Sequence, residues 1–161
     1  MLKITKIILA LSVAAWGFTG AASNLSDWGG TTGAVAAATS MTMFEPIADS
    51  WRATTNPVVI TLGAIFIVSL KIAGGALCLA GGVRMAAAIR AGPASFATAK
   101  RLAVAGCGLL MFMLFAGWIV IAETWFQLWR SDVWRDAALD SAFRYGAMIT
   151  LIGIFIGAGD E

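Results

Sequence analysis

Four stretches, residues 4–22, 58–83, 102–122 and 143–158, are apolar over lengths that match or approach the roughly 20 residues an α-helix needs to cross a bilayer. Inside the hydrocarbon layer each backbone amide must find its hydrogen bond within its own segment, so each stretch is expected to be helical. Only 12% of residues are charged and 60% are hydrophobic, against about 25% charged in an ordinary soluble domain, which excludes a soluble globular chain. The expected architecture is all-α: a single transmembrane domain over residues 1–161, folded as an integral membrane four-helix bundle with short interfacial helices in its two longer connections. Residues 1–22 also have the layout of a secretory leader, with Lys3 and Lys6 before an apolar core and Gly20-Ala21-Ala22 as a cleavage site. The segment is read here as the first spanning helix.

Orientation follows from the basic residues. Lys3, Lys6, Arg84, Arg90, Lys100 and Arg101 lie on one side of the four spans, with no acid among the flanks they occupy. By the positive-inside rule both termini are cytoplasmic and the connections 23–56 and 123–142 face outward, as expected for a multi-pass protein of the bacterial inner membrane. All seven tryptophans fall in the outward half. Aromatic belts normally mark both interfaces, so this one-sided distribution fits either an interfacial anchor or a docking surface.

The outer connections carry some local signals. Asn24, Ser26 and Asp27 offer helix caps, Gly29 to Gly33 reads as a flexible stretch, and residues 34–44 form an apolar run too short to span, ended by Pro46. Residues 49–54 have room for one further turn carrying Trp51 and Arg52. In the second connection Trp125 and Trp129 are spaced i, i+4, as on one helical face. Within the spans, lipid supplies no hydrophobic drive between helices, so association rests on small residues that let backbones approach. Gly74, Cys78 and Gly82 form such a stripe on the second span, and Gly146, Gly153 and Gly157 on the fourth.

Chemistry is sparse. The chain has no histidine, which removes the commonest general base, zinc ligand and haem axial ligand. Cys78 and Cys107 sit in apolar runs without CxxC spacing and read as small buried residues, so no metal site, no catalytic residue and no cofactor held by side-chain ligation is expected. A bound lipid, quinone or carotenoid needs no distinctive residue and stays open. No Lys/Arg run resembles a nucleic-acid footprint. Lys71 is the one charge deep within a span, about 20 Å along the second helix. Burying it there costs at least ~2.5–3.5 kcal/mol unless it finds a partner. Three readings stand: a lysine satisfied by backbone carbonyls or snorkelling toward the cytoplasm, an ion pair with another subunit or lipid headgroup, and a site for conduction or proton transfer. Ser12, Thr61, Ser69 and Thr150 are the candidate partners within the chain.

The segments Asn24-Leu25-Ser26-Asp27-Trp28, Ser40-Met41, Trp51-Arg52-Ala53, Glu123-Thr124-Trp125-Phe126-Gln127-Leu128-Trp129 and Ala142-Phe143-Arg144 resemble, in order and spacing, the bacterial small integral membrane proteins of domain of unknown function 2165. The resemblance implies a four-helix inner-membrane protein without an assigned activity. Members often carry a histidine near Ala37, an acid at Thr42 and a glutamate near Lys71, and this chain departs at all three.

Packing surface without chemistry points to a non-catalytic accessory subunit of a larger membrane complex, respiratory and photosynthetic electron-transfer assemblies being hosts of this kind. Its expected partners are larger membrane-protein subunits and lipids. Trp125, Phe126 and Trp129 are the expected docking anchors, with Trp51 and Arg52 beside them. The alternative is a small transporter or channel using Lys71 as an anion or proton site.

Overall fold

A computed structural model describes residues 1–43 and 50–160. Phe44, Pro46 and Asp49, which bear on the first connection, lie outside the described residues. Four long helices form the bundle: α1 (Leu2–Ser26), α3 (Pro57–Ala88), α4 (Pro93–Trp125) and α5 (Asp132–Gly157), with a shorter α2 (Trp28–Ser40) between the first two. No strand occurs among the described residues. Both termini and the α3–α4 turn lie at one end, called here the terminal end. The α1–α3 and α4–α5 connections lie at the other, the loop end.

Each long helix outruns the apolar stretch that marked it. Spans at 4–22, 58–83, 102–122 and 143–158 measure hydrophobic length, whereas a helix continues until a cap or a backbone break stops it. Asp27 does both at the α1–α2 junction: it ends α1 and accepts a hydrogen bond from the Gly30 amide at 2.8 Å. Gly29 to Gly33 are therefore helical, and the expected flexible stretch is not one. Asn56 caps α3 by accepting from the Val58 amide at 2.9 Å, with Pro57 in the first turn where its missing N–H costs nothing. Gly92, at φ 96°, makes the turn into Pro93 and α4, a conformation that an L side chain rarely adopts.

The helices close into a ring, with α3 against α1 and α4, and α5 against α4 and α1. Close approach happens at glycine. Gly17 faces the Lys71 carbonyl and Gly75, and Gly82 faces Ala10 and Leu11. On the other side of α3, Gly74 faces Leu110 and Gly106, Gly81 faces the Ala103 backbone, and Cys78 meets Gly106. Gly74, Cys78 and Gly82 are thus not one stripe. Each i, i+4 step overshoots a full turn by about 40°, so two steps carry Gly82 round to α1 while Gly74 and Cys78 face α4. Gly153 meets Cys107, Gly157 meets Val104 and Gly146 meets Leu114, so the α5 stripe is used inside the bundle against α4.

Ala10, Val13, Cys78, Met85, Phe96, Cys107, Leu110 and Ile156 fill the core, while Ile4, Ile8, Val58, Leu62, Leu79, Val83, Phe112, Leu151 and Ile154 are exposed. Small residues at the closest helix seams, with large apolar side chains left on the outer surface, is the distribution expected where the surrounding solvent is hydrocarbon.

Candidate functional site

At the loop end the bundle opens into a cavity of about 320 Å³, to which all five helices contribute. α1 supplies Trp16 and Asn24, α2 Thr31, α3 Lys71, α4 Trp118, and α5 Trp134, Ser141 and Tyr145. No carboxylate lines it among the described residues, so its one fixed charge is the Lys71 ammonium.

Lys71 reaches this cavity because of the direction of its helix. Side chains lean toward the N-terminus of their own helix, and α3 starts at the loop end, so the lysine is carried toward the loops and away from the termini. Snorkelling toward the basic, terminal side is overturned for this reason. Its stem lies across Gly20, where an added Cβ would stand 3.3 Å from Nζ and 3.5 Å from Cδ and Cε. Nζ donates to Asn24 Oδ1 at 2.6 Å and sits 5.8 Å from the Trp16 ring centroid. Asn24 Nδ2 donates in turn to Thr31 Oγ1 at 2.9 Å, and the Thr31 hydroxyl donates back to the Asn24 carbonyl at 3.0 Å. The relay ties α3 to α1 and α2. Ser12 and Ser69, expected as partners, instead donate to carbonyls of their own helices, Ile8 and Ile65.

A second element of the loop end is an exposed aromatic cluster. The Arg52 guanidinium lies 5.5 Å from the Trp51 ring and 5.4 Å from the Trp125 ring, and its Nη1 donates to the Trp125 carbonyl at 3.5 Å. The two rings meet edge to face at 5.6 Å. One contact set thus braces the first connection against the second, with Trp51 79% and Trp125 46% exposed.

Trp129 and Phe126 do not join it. Gln127 adopts a left-handed conformation (φ 56°) that breaks the helix after Trp125, so the i, i+4 face does not form. Trp129, on a 3₁₀ turn (Leu128–Arg130), lines a separate groove of about 560 Å³ with Glu123, Arg135 and Asp140. Phe126 turns inward beside Val35, Ala38 and Trp118 and is only 6% exposed, so it cannot serve as a docking anchor.

Two π-helical stretches separate the groove from the Lys71 cavity. Phe115–Trp125 of α4 puts Ile119 and Glu123 into the groove and Trp118 into the cavity. Arg135–Leu139 of α5 puts Arg135 and Leu139 into the groove and Ala137 and Ala138 into the cavity. The wider turn changes which residues share a face, and π-helical segments occur frequently at functional sites.

The terminal end holds a third constellation. Lys6, fully buried, donates to the carbonyls of Ala158 (2.7 Å) and Gly159 (2.8 Å) and to Asp160 Oδ1 (2.7 Å). Lys100 donates to the Ala158 carbonyl and to Asp160 Oδ2, both at 2.8 Å. The two ammoniums satisfy carbonyls that the end of α5 leaves open and complement the negative end of its dipole. Burial by itself would raise the Asp160 carboxyl, but hydrogen bonds and charge from Lys100 and Lys6 outweigh it and hold the group below its ordinary value. Elsewhere the fold brings Cys78 and Cys107 together, with their sulfurs 3.9 Å apart, in the seam between α3 and α4.

Sequence reasoning missed the partners of Lys71 and the lysine pair on Asp160. Asn24 reads as a cap and Lys6 as a flanking charge, and nothing in spacing joins residues so far apart in the chain.

Four long apolar helices, packed through glycine and faced outward with aliphatic side chains, define an integral membrane protein. The chain belongs to the family of predicted small integral membrane proteins, domain of unknown function 2165, whose family model matches residues 2–158. No curated protein and no solved structure matches it.

Proposed function

We propose that the protein is a non-catalytic accessory subunit of a larger assembly in a bacterial inner membrane, with both termini cytoplasmic, docking through its outward loop end. The observation that carries this reading is the Trp51–Arg52–Trp125 cluster. Tryptophan and arginine dominate binding hot spots because each contributes a large or bidentate contact at little entropic cost. Here the three side chains are held against one another before any partner arrives, with both indoles exposed and Arg52 half-buried between them. Preorganisation of that kind reduces the ordering cost of association. The basic flanks at the opposite end supply the orientation.

The test is extraction from the native membrane in mild detergent, followed by the mass and composition of the particle. Wild type is expected to travel with a fixed set of larger subunits. The Trp51→Ala/Trp125→Ala double variant is expected to separate from them with its helical circular dichroism intact. A particle containing only this chain, or one whose composition survives the double substitution, would sink the reading.

A transporter or channel working through Lys71 draws on one observation, the cavity that surrounds the ammonium. Below Lys71, however, Gly17 packs against the Lys71 carbonyl and Gly75, and Gly74 against Leu110 and Gly106. A path to the terminal end would have to part both seams. Transport that collapses in Lys71→Met would favour that second reading.

A further inference from the structure

The geometry points to the loop-end cavity as a binding site for a monoanionic organic acid: a carboxylate on Lys71, carried by an apolar body held among the rings of Trp16, Trp118, Trp134 and Tyr145. The inference needs neither a partner subunit nor passage across the bilayer, so it stands apart from the docking proposal.

Charge sets the sign of the ligand. Among the described residues that line the cavity Lys71 is the only ionic group, and no described acid pairs with it. A cation in so apolar a setting is expensive unless compensated, and an amide oxygen compensates it only in part. Charge also sets the valence. Among the described residues Lys71 supplies the one positive charge within the lining, which one carboxylate neutralises; the Arg144 guanidinium, on Ser141 Oγ and the Tyr145 ring, stays exposed outside it.

Hydrogen-bonding capacity sets the group. Lys71 spends one of its three N–H donors on Asn24 and makes no other hydrogen bond among the described residues. Ser141 Oγ accepts from Arg144 Nη2 at 3.3 Å, which leaves its own proton to donate. Tyr145, whose ring lies 5.4 Å from that of Trp16, has its hydroxyl free of any hydrogen bond among the described residues. Lys71, Ser141 and Tyr145 all line the cavity, and Tyr145 is exposed. Two or three donors around one cation suit the two oxygens of a carboxylate.

The walls and the volume set the body. The remaining lining is indole, phenol, alanine, valine, leucine and isoleucine. A volume of about 320 Å³ lies at the lower end of the range for small-molecule sites, enough for one ring system or a folded alkyl segment but not for a complete phospholipid. A soluble aromatic acid and a membrane-borne fatty acid share this chemistry.

Isothermal titration calorimetry separates the two sources. The protein is placed in nanodiscs of zwitterionic lipid, with empty nanodiscs as the blank, and titrated with indole-3-acetate, dodecanoate and the neutral indole-3-acetamide. Wild type is expected to bind at least one of the two acids saturably, and which one identifies the source. An aromatic acid that binds should exceed its amide by about 10–100-fold, the range that charge-assisted hydrogen bonds supply. Lys71→Met should lose that margin. Asn24→Asp is the decisive variant, because it keeps the shape of the amide while placing a competing carboxylate against Nζ. It should weaken acid binding at least tenfold even if Lys71→Met fails to fold. Binding of neither acid by wild type, equal binding of indole-3-acetate and its amide, or undiminished acid binding by Asn24→Asp would each overturn the proposal.

Discussion

The α3–α4 seam makes a sharp demand on Gly81. A Cβ added there would stand 2.4 Å from the Ala103 nitrogen and 2.7–2.8 Å from its Cβ and Cα, whereas ordinary contact begins near 3.4 Å. The obstacle is backbone, not a side chain that can swing away, so Gly81→Ala must move the helices apart by about 1 Å. A gap of that size forfeits a quarter to a half of each dispersion contact it opens. Over ~40 contacts of ~0.15 kcal/mol the loss is about 1.5–3 kcal/mol. Alanine returns up to ~1 kcal/mol through helix propensity, leaving a net destabilisation of about 0.5–2 kcal/mol. Gly106→Ala meets the same seam from the other side, with Cys78 Sγ at 2.6 Å and the Cys78 nitrogen and Gly74 oxygen at 2.7 Å. Once one substitution has opened the seam the second has little left to lose. The double variant should therefore be more stable than the sum of the singles predicts, by about 1–2 kcal/mol. Gly108, on α4 with nothing within 4 Å, is the control, and Gly108→Ala should be neutral or slightly stabilising. Reversible unfolding in mixed micelles of rising dodecyl sulfate content, followed by far-ultraviolet circular dichroism, measures all four variants. Gly81→Ala matching Gly108→Ala in stability, or simple additivity in the double variant, would refute a seam held by backbone contact.

Phe126→Ala should destabilise the fold by about 3 kcal/mol without selectively releasing a partner, because the ring is buried beside Trp118 rather than offered outward; the same unfolding assay reads it. Asp160→Asn should cost about 1.5–3 kcal/mol at neutral pH through the two charge-assisted hydrogen bonds it weakens at Lys6 and Lys100. Because the folded carboxyl is held below the ordinary value of 3.8, its contribution is present above that pH and is lost as the pH falls through the lower folded value. Stability measured against pH should therefore show wild type converging on Asp160→Asn below pH 3.8, and a gap that is unchanged or widens on acidification would contradict the assignment.

Hydrophobic length and the placement of basic residues were enough to anticipate a four-helix membrane bundle, because the bilayer permits so few alternatives. What they could not supply is rotation about each helix axis. Gly74, Cys78 and Gly82 look like one face at i, i+4 spacing, yet drift divides them between α4 and α1, and Gly75 and Gly81 complete the two true contact lines. The direction of Lys71 could have been inferred, since helix sense alone determines which way its side chain leans. Its partner Asn24 could not, because it lies 47 residues away on another helix. The π-helical stretches were equally hidden, since a periodicity of 3.6 is assumed whenever faces are read from spacing. Gln127 shows the same limit at a single residue: its positive φ dissolves the Trp125–Trp129 pair, and glutamine gives no warning of it.

The division of labour within the bundle follows from where the chain places glycine and where it places tryptophan. In the terminal part the contact lines are Ala10 with Gly82, Ala103 with Gly81, and Val104 with Gly157, residues small enough for backbones to touch. Toward the loop end Trp16, Trp118, Trp134 and Tyr145 stand between the helices instead. Such rings bury about 150–250 Å² apiece and cannot interleave as glycine does, and the space they line is the Lys71 cavity. Lys71 belongs to both regions: its carbonyl packs against Gly17 in the close-packed seam, while its ammonium lies in the open space beside Trp16. A ligand neutralising that ammonium would therefore act at the point where packing gives way to cavity, and its first structural consequence should fall on the Asn24–Thr31 relay that ties α1 to α2. Amide hydrogen exchange in the first turns of α2 is the place to see it, with protection rising when the site fills.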